Sequence, residues 1–218
     1  MKLLFAAIII LLTVSPVVEA ATVDLTGQGA SVDLPDSWTS KQQQADESAA
    51  TSSLILSAIN EEKTALLQVQ VCPNPHGLLA DQSDLVSNVK DDISNQIVAH
   101  GGQVQFTGES KIELNNIPAY LIQYTETAPS SKQVLARTYQ VAANGKLYLL
   151  SLRTFDTTAD ADLQAIANSF RFATPPVLPT PTVPGHRIRY FLMAGAGAVA
   201  LIAAIIGVVV YRRRQLYE

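Results

Sequence analysis

Tyr190 to Tyr211 is an uncharged, apolar run (YFLMAGAGAVALIAAIIGVVVY) closed by Arg212, Arg213 and Arg214. At a helical rise of about 1.5 Å per residue it reaches roughly 33 Å, enough to cross the hydrocarbon of a bilayer. A soluble domain of this size has no use for a helix that is apolar on every face. The run therefore predicts a transmembrane helix over 190–211, with 212–218 as a short basic cytoplasmic tail. Small residues at Ala196, Ala200 and Ala204, and again at Ala203 and Gly207, allow close helix pairing and a weak homodimer through the span.

The N-terminus supplies the other membrane-directed segment. Lys2 is a positive n-region, Leu3 to Leu12 is apolar, Ser15-Pro16 breaks the run, and Val18-Glu19-Ala20 fits a cleavage site. Residues 1–20 are predicted as a signal peptide cut after Ala20, with an uncleaved signal anchor as the alternative. Arg187, Arg189 and His186 flank the near side of the span, so export and not the arginine excess sets the orientation. The middle of the chain is expected outside the cytoplasm of a single-pass membrane protein, in a bacterial envelope. The absence of any Asn-X-Ser/Thr sequon leans the same way.

Residues 21–172 remain, long enough for one domain with its own core. They carry nine Lys/Arg against seventeen Asp/Glu, a net −8. Such a charge argues against nucleic acid and keeps the domain off anionic lipid. Cys72 is the one cysteine, so no internal disulfide forms. It follows Val69 and Val71 on the face carrying Gln68 and Gln70, and reads as an inert thiol at a strand end. An intermolecular disulfide or a reactive thiol is the other reading.

Hydropathy patterning orders the domain. Thr22–Leu25 and Ala30–Leu34 read as short strands around Gly27-Gln28-Gly29, and 40–52 as polar and irregular. Ser53–Ile59 and Ala65–Val71 are strands, the second alternating Ala65, Leu67, Val69 and Val71 with polar residues, which predicts one buried face. Leu85, Val86, Val89, Ile93 and Ile97 form one apolar stripe, predicting a helix over 81–99 capped by Asp81 and ended by Gly101-Gly102. Its wet side is Lys90, Asp91, Asp92 and Asn95. Two hairpins follow, 103–114 with 117–125 across Asn115-Asn116, and 133–142 with 146–155 across Ala143-Asn144-Gly145. A short helix opens at Thr157 or Thr158 and carries Leu163, Ile166 and Ala167. Hairpins with few, segregated helices predict an α+β fold, an antiparallel sheet flanked by helices. From Ala173, Pro175, Pro176, Pro179, Pro181 and Pro184 predict a semi-rigid spacer over 173–189, of which roughly a dozen extended residues stand the domain some 35–40 Å clear of the bilayer.

Four stretches in this order resemble one superfamily: VDLPDSW (Val32 to Trp38), GESKIELNNIPAYLIQY (Gly108 to Tyr124) after the central helix, NGKLYLLSL (Asn144 to Leu152), and IANSFRF (Ile166 to Phe172). They are similar to the PsbP-like α/β/α sandwich, which includes the bacterial DcrB-related domains and the Ran-binding Mog-type proteins. The resemblance implies that fold over nearly all of 22–172. It implies Pro35 and Trp38 as a turn and a core plug, and Phe170 and Phe172 as core residues of the last strand. It carries over no catalytic or partner-binding residue, because members serve different partners.

Chemistry-bearing residues are sparse. His100 is expected at the helix C-terminus, where the dipole favours imidazolium. Cys72 and His76 in CPNPH could form a nucleophile pair or a metal site, but Pro73 and Pro75 add no ligand. Asp91-Asp92 and Glu61-Glu62 read as solvated acids. There is no phosphate-cradling glycine loop, no G-x-S-x-G and no metal-spaced ligand cluster. Leu178-Pro179-Thr180-Pro181-Thr182 departs from a wall-sorting LPxTG at its last two positions. The expectation is a non-enzyme without catalytic, cofactor or metal residues: a membrane-tethered accessory module binding an envelope protein or small ligand. The alternative is an adhesion or surface protein attached to, or released from, the envelope at the spacer.

Overall fold

The computed structural model describes residues 20–25, 27–43, 52–62, 64–129, 132–156 and 159–180. The signal peptide, the span over 190–211, the basic tail, and Thr157 and Thr158 lie outside the described residues. Among those described, no helix is long and apolar enough to cross a membrane.

Alternating side chains and tight turns build ten strands among the described residues. These are β1 (Ala20–Leu25), β2 (Ala30–Pro35), β3 (Thr39–Gln42), β4 (Ser53–Asn60), β5 (Ala65–Pro73), β6 (Gln103–Leu114), β7 (Ile117–Thr127), β8 (Gln133–Ala143), β9 (Lys146–Thr154) and β10 (Arg171–Phe172). Helix α1 (Ser83–Ala99) lies between β5 and β6, and α2 (Asp160–Ser169) between β9 and β10. Seven strands form one antiparallel sheet in the order β3-β4-β5-β9-β8-β7-β6, while β1-β2-β10 form a small second sheet. Asn115 and Asn116, with φ of 51° and 63°, turn β6 into β7; Asn144 and Gly145, at 53° and 69°, turn β8 into β9. Both turns need two left-handed residues, a conformation that Asn and Gly reach at least cost.

The large sheet is covered on both faces. One face packs α2 and the small sheet over Leu67, Val69, Tyr139, Val141, Tyr148, Leu150 and Leu152, joined by Trp38, Leu163, Ile166 and Phe170. The other packs α1, through Leu85, Val86, Val89 and Ile93, over Cys72, Ile122, Tyr124, Ala142, Leu147 and Leu149. The architecture is the α/β/α sandwich, an α+β fold with two helices among the described residues.

Four expectations are corrected. The stretch predicted irregular contains β3, an exposed edge strand paired to β4; its polar side chains carry no alternation, so period alone misses it. Helix α1 starts at Ser83 with Gln82 at its N-cap and no side-chain capping bond; Asp81, expected as the cap, stands one residue too early and pairs with Lys111 instead. The Gln68 face of β5 is not wet: Gln68 is 3% and Cys72 1% exposed. The spacer does not leave the domain at Ala173. The Ala173 N–H donates to the Gly29 carbonyl (2.9 Å), the Asn144 N–H to the Val177 carbonyl (2.8 Å), and the Val177 N–H to Asn144 Oδ1 (2.8 Å).

Candidate functional site

One end of the sandwich gathers the β5–α1 loop, the end of the β6–β7 hairpin, the β8–β9 turn and the docked spacer. Asn74 organises the loop from within. Its N–H donates to the Gly145 carbonyl (2.8 Å), its side-chain NH2 to the Leu78 carbonyl (2.9 Å), and its Oδ1 accepts from the Leu78 N–H (3.0 Å). Gly77, at φ 59°, turns the loop beneath the spacer, where a Cβ at that position would lie 3.9 Å from Pro179.

Between these parts runs a groove of about 490 Å³. Ala80 and Ala142, both on the α1 side of the sheet, lie along it, and these two small side chains leave space there. Leu79, Pro118 and the strand segments at Ile112 and Ala119 also line it, as do Leu178 and Pro179 of the spacer. At the rim Asp81 accepts from Lys111 Nζ at 2.5 Å, with the lysine side chain 77% exposed, and Glu113 stands beside them. Such an exposed pair contributes about 1 kcal/mol or less; it sets polarity, not stability. An apolar cleft of this volume with a few polar groups at its lip has the size and make-up of a small-ligand or peptide site.

The residues singled out in the sequence sit elsewhere and apart. Cys72 is buried under α1, and burial first, then the nearby Asp92, pushes its thiol pKa up to about 12. That thiol stays protonated at neutral pH and is a poor nucleophile. His76 lies exposed on the β5–α1 loop. His100 sits at the C-cap of α1 as expected, its Nδ1 2.7 Å from the Gln96 carbonyl. Glu61 and Glu62 are exposed at the β4–β5 turn. Asp92 departs from the solvated reading: it is half-buried, and burial, then Asp91, raises its pKa to about 6. Lys90 is not simply wet either, since its ammonium lies 4.8 Å from the Phe106 ring centroid and 3.4 Å from Glu109.

Nothing in the order of the sequence links 79–81, 111–113, 118–119, 142 and 178–179. Strand register does, by setting Ile112 opposite Ala119 and Ala119 opposite Val141. The signals available were Asn144-Gly145, taken only as a turn, and the first prolines of the spacer, taken only as a rod.

Comparisons with known proteins agree with this architecture. The family model of PsbP-like proteins matches residues 13–172. The solution structure of the cyanobacterial PsbP (CyanoP) of Synechocystis sp. PCC 6803 superposes with a TM-score of 0.53 at 15% identity, over 72% of this chain and 94% of that one. LpqN of Mycobacterium tuberculosis, described as involved in cell envelope biogenesis, superposes at 0.39 with 14% identity, over 70% and 89% of the two chains. No curated protein matches the chain.

Proposed function

The chain belongs to the PsbP-like protein family, and from that premise we propose that it is a membrane-tethered, extracytoplasmic binding module without catalytic chemistry of its own. Residues 1–20 direct export, 190–211 anchor the chain in the cell membrane, and 212–218 remain in the cytoplasm. The groove takes part of an envelope protein.

One observation supports this reading above the rest: the chain leaves the domain beside the groove. With 173–180 held against the sandwich, only 181–189 separate the domain from the predicted span. At about 3.1 Å per extended residue that is roughly 28 Å. The groove end would then face the bilayer, within reach of a membrane protein's external segments. The opposite end, where Asp36, Glu61, Glu62, Asp156, Asp160 and Asp162 collect around the β4–β5 turn and the start of α2, would point away from anionic lipid. The groove offers small apolar side chains and an ion pair, a lining suited to holding a partner.

Envelope release at the spacer is the rival, and Leu178 and Pro179 speak against it. They are the first residues of the sorting-like stretch, and they already form a wall of the groove.

Protease added to spheroplasts tests the topology, and a photo-crosslinking residue at Glu113, exposed on the groove and opposite Pro118, tests the groove in the same cells. Shaving of the domain, with a crosslinked envelope protein lost in Pro118→Trp, is the expected result. A domain protected until the membrane is opened would defeat the topology. A domain found in the medium would favour the release reading.

A further inference from the structure

The contact that pins the spacer has the form of a peptide-binding clasp. Asn144 uses its backbone N–H as donor and its side-chain Oδ1 as acceptor, and both engage the single residue Val177, through that residue's carbonyl and N–H at 2.8 Å each. A donor and an acceptor presented together read the backbone of an extended chain and place no demand on its side chain. Next along the bound chain, Leu178 and Pro179 enter the groove wall, so the position after the clasp is read as an apolar residue followed by proline.

The bound segment is held lightly. Between Ala173 and Val177 stand Pro175 and Pro176, which have no N–H to donate. Val177 and Leu178 keep 74% and 42% of their surface exposed, although they are the largest apolar side chains in the segment. With so few contacts the strap can be displaced, and a segment that displaces it gains the clasp and the groove beside it together.

We propose that the clasp and groove form a binding site for an extended, proline-containing peptide segment of a partner protein, with residues 177–179 of the chain as its built-in competitor. The proposal rests on the reading of the groove as the interaction site and adds the class of ligand. The partner's segment pairs its backbone with Asn144, sets an apolar–proline step where Leu178 and Pro179 now lie, and runs on over Ala142. A partner reaches the site only as often as the strap is off, so the strap lowers apparent affinity by the fraction of time it is docked.

The test uses the full chain in lipid nanodiscs and a fluorescein-labelled peptide, PPVLPTPT, the sequence of residues 175–182. A control peptide has glycine at each proline. Val177→Pro with Leu178→Asp removes the strap's donor and its apolar contact and leaves the clasp intact. Hydrogen exchange at the residue 144 amide reports that the strap has left. The expected result is weak saturable binding to the unaltered chain and about tenfold tighter binding to the strap variant. Asn144→Gly, which suits the positive φ and removes only the side-chain acceptor, then weakens binding about tenfold in the strap variant. The proposal is overturned if the strap variant, with its residue 144 amide exchanging freely, binds the peptide no better than the unaltered chain. It is equally overturned if the glycine peptide binds as well. A crosslinked envelope protein at Glu113 without peptide binding overturns the peptide class alone and leaves the groove as a docking surface. Peptide binding with no crosslinked protein in cells upholds the site and overturns the reading of it as partner-facing.

Discussion

Across one face of the seven-stranded sheet, Tyr139, Tyr148, Leu150 and Leu152 meet α2 and the small sheet in an apolar layer. The rings of Tyr148, Phe170 and Phe172 lie 5.2–5.8 Å apart there, and the phenol tips reach outward, Tyr139 to Gln164 at 3.1 Å and Tyr148 towards the Gln28 carbonyl at 3.5 Å. Across the other face, under and beside α1, the strands present Gln68, Thr138, Gln140, Ser151 and Arg153. Arg153 Nε donates to Glu126 (2.7 Å) and its Nη1 to Gln68 (3.0 Å), while Tyr124, Thr138 and Ser151 form a chain of hydroxyls. Gln140 is fully buried, and its amide oxygen and nitrogen have no partner among the described residues. One face is held by area and shape alone, while the other adds a buried ion pair and a polar network to the apolar contacts of α1. A buried pair is stable only while it is complete, so the two faces respond to substitution in different ways.

The largest effect is expected on the apolar face. Phe170 is fully buried and touches both other rings, so Phe170→Ala removes a whole side chain and leaves a cavity that rigid strands close poorly. A loss of about 3–5 kcal/mol follows. Urea unfolding read by Trp38, the single tryptophan and itself buried, measures it. A loss under about 1 kcal/mol would mean that this face does not carry the fold.

The polar face is expected to lose somewhat less, and for another reason. Arg153 and Glu126 have side chains only 13% and 17% exposed. Burial alone would lower the Arg153 pKa, but Tyr124 and Glu126 beside it outweigh burial and raise it, so the guanidinium stays charged. Glu126→Ala removes its nearest countercharge, at about 3 kcal/mol. Glu126→Leu combined with Arg153→Met takes both charges away and is expected to recover most of that loss. If the double variant is as unstable as the single one, the pair is not what distinguishes this face.

The apolar face was legible in the sequence and the polar face was not. Period-2 alternation of Ala65, Leu67, Val69 and Val71 marks the side under α2, because those positions are apolar without exception. The same alternation puts Gln68, Gln70 and Cys72 on a solvated side, since a glutamine reads as exposed unless its partner is known. That partner, Arg153, stands 85 residues away and is brought close by the pairing of β5 with β9. The groove was hidden for a similar reason: its lining residues come from a loop, three strands and the spacer. The spacer was misread in its first part because prolines forbid regular structure but do not forbid docking.

Two carboxylates carry the comparison into pH dependence, and the one on the polar face has the larger effect. Asp92, on α1, is raised from 3.8 to about 6 by burial and then by Asp91. An acid whose folded pKa lies above its unfolded one favours the fold when protonated, so its contribution is full below about pH 4 and declines as pH rises towards 6. Asp92→Asn removes that decline. At pH 7 it is expected to stabilise the protein by about 1–2 kcal/mol after allowance for solvent screening, with no gain at pH 4. Unfolding midpoints at the two pH values decide it, and a variant less stable at pH 7 would mean that the charge is used.

Asp33, in the small sheet, runs the other way and by less. Its carboxylate takes two hydrogen bonds from Arg171, Nη1 to Oδ2 at 2.7 Å and Nη2 to Oδ1 at 2.8 Å, and one from Thr22 at 2.7 Å. Those to Arg171 lower its pKa most; burial opposes, and Thr22 and the arginine's charge add to the lowering. A folded pKa below the unfolded one means stabilisation above about pH 4, lost as the pH falls through the folded value. The pair ties β2 to β10, the last strand before the docked spacer. Because both side chains are about a third exposed, Asp33→Asn is expected to lose only about 1 kcal/mol at pH 7 and progressively less as the pH falls below about 4. Hydrogen exchange sharpens the point: the Ala173 N–H, bonded to Gly29 one residue beyond β10, should exchange faster in Asp33→Asn, while the Asn144 amide keeps its protection. If both amides loosened together, the strap and the small sheet would be one cooperative unit. In that case the spacer would be part of the apolar face rather than a segment laid against it.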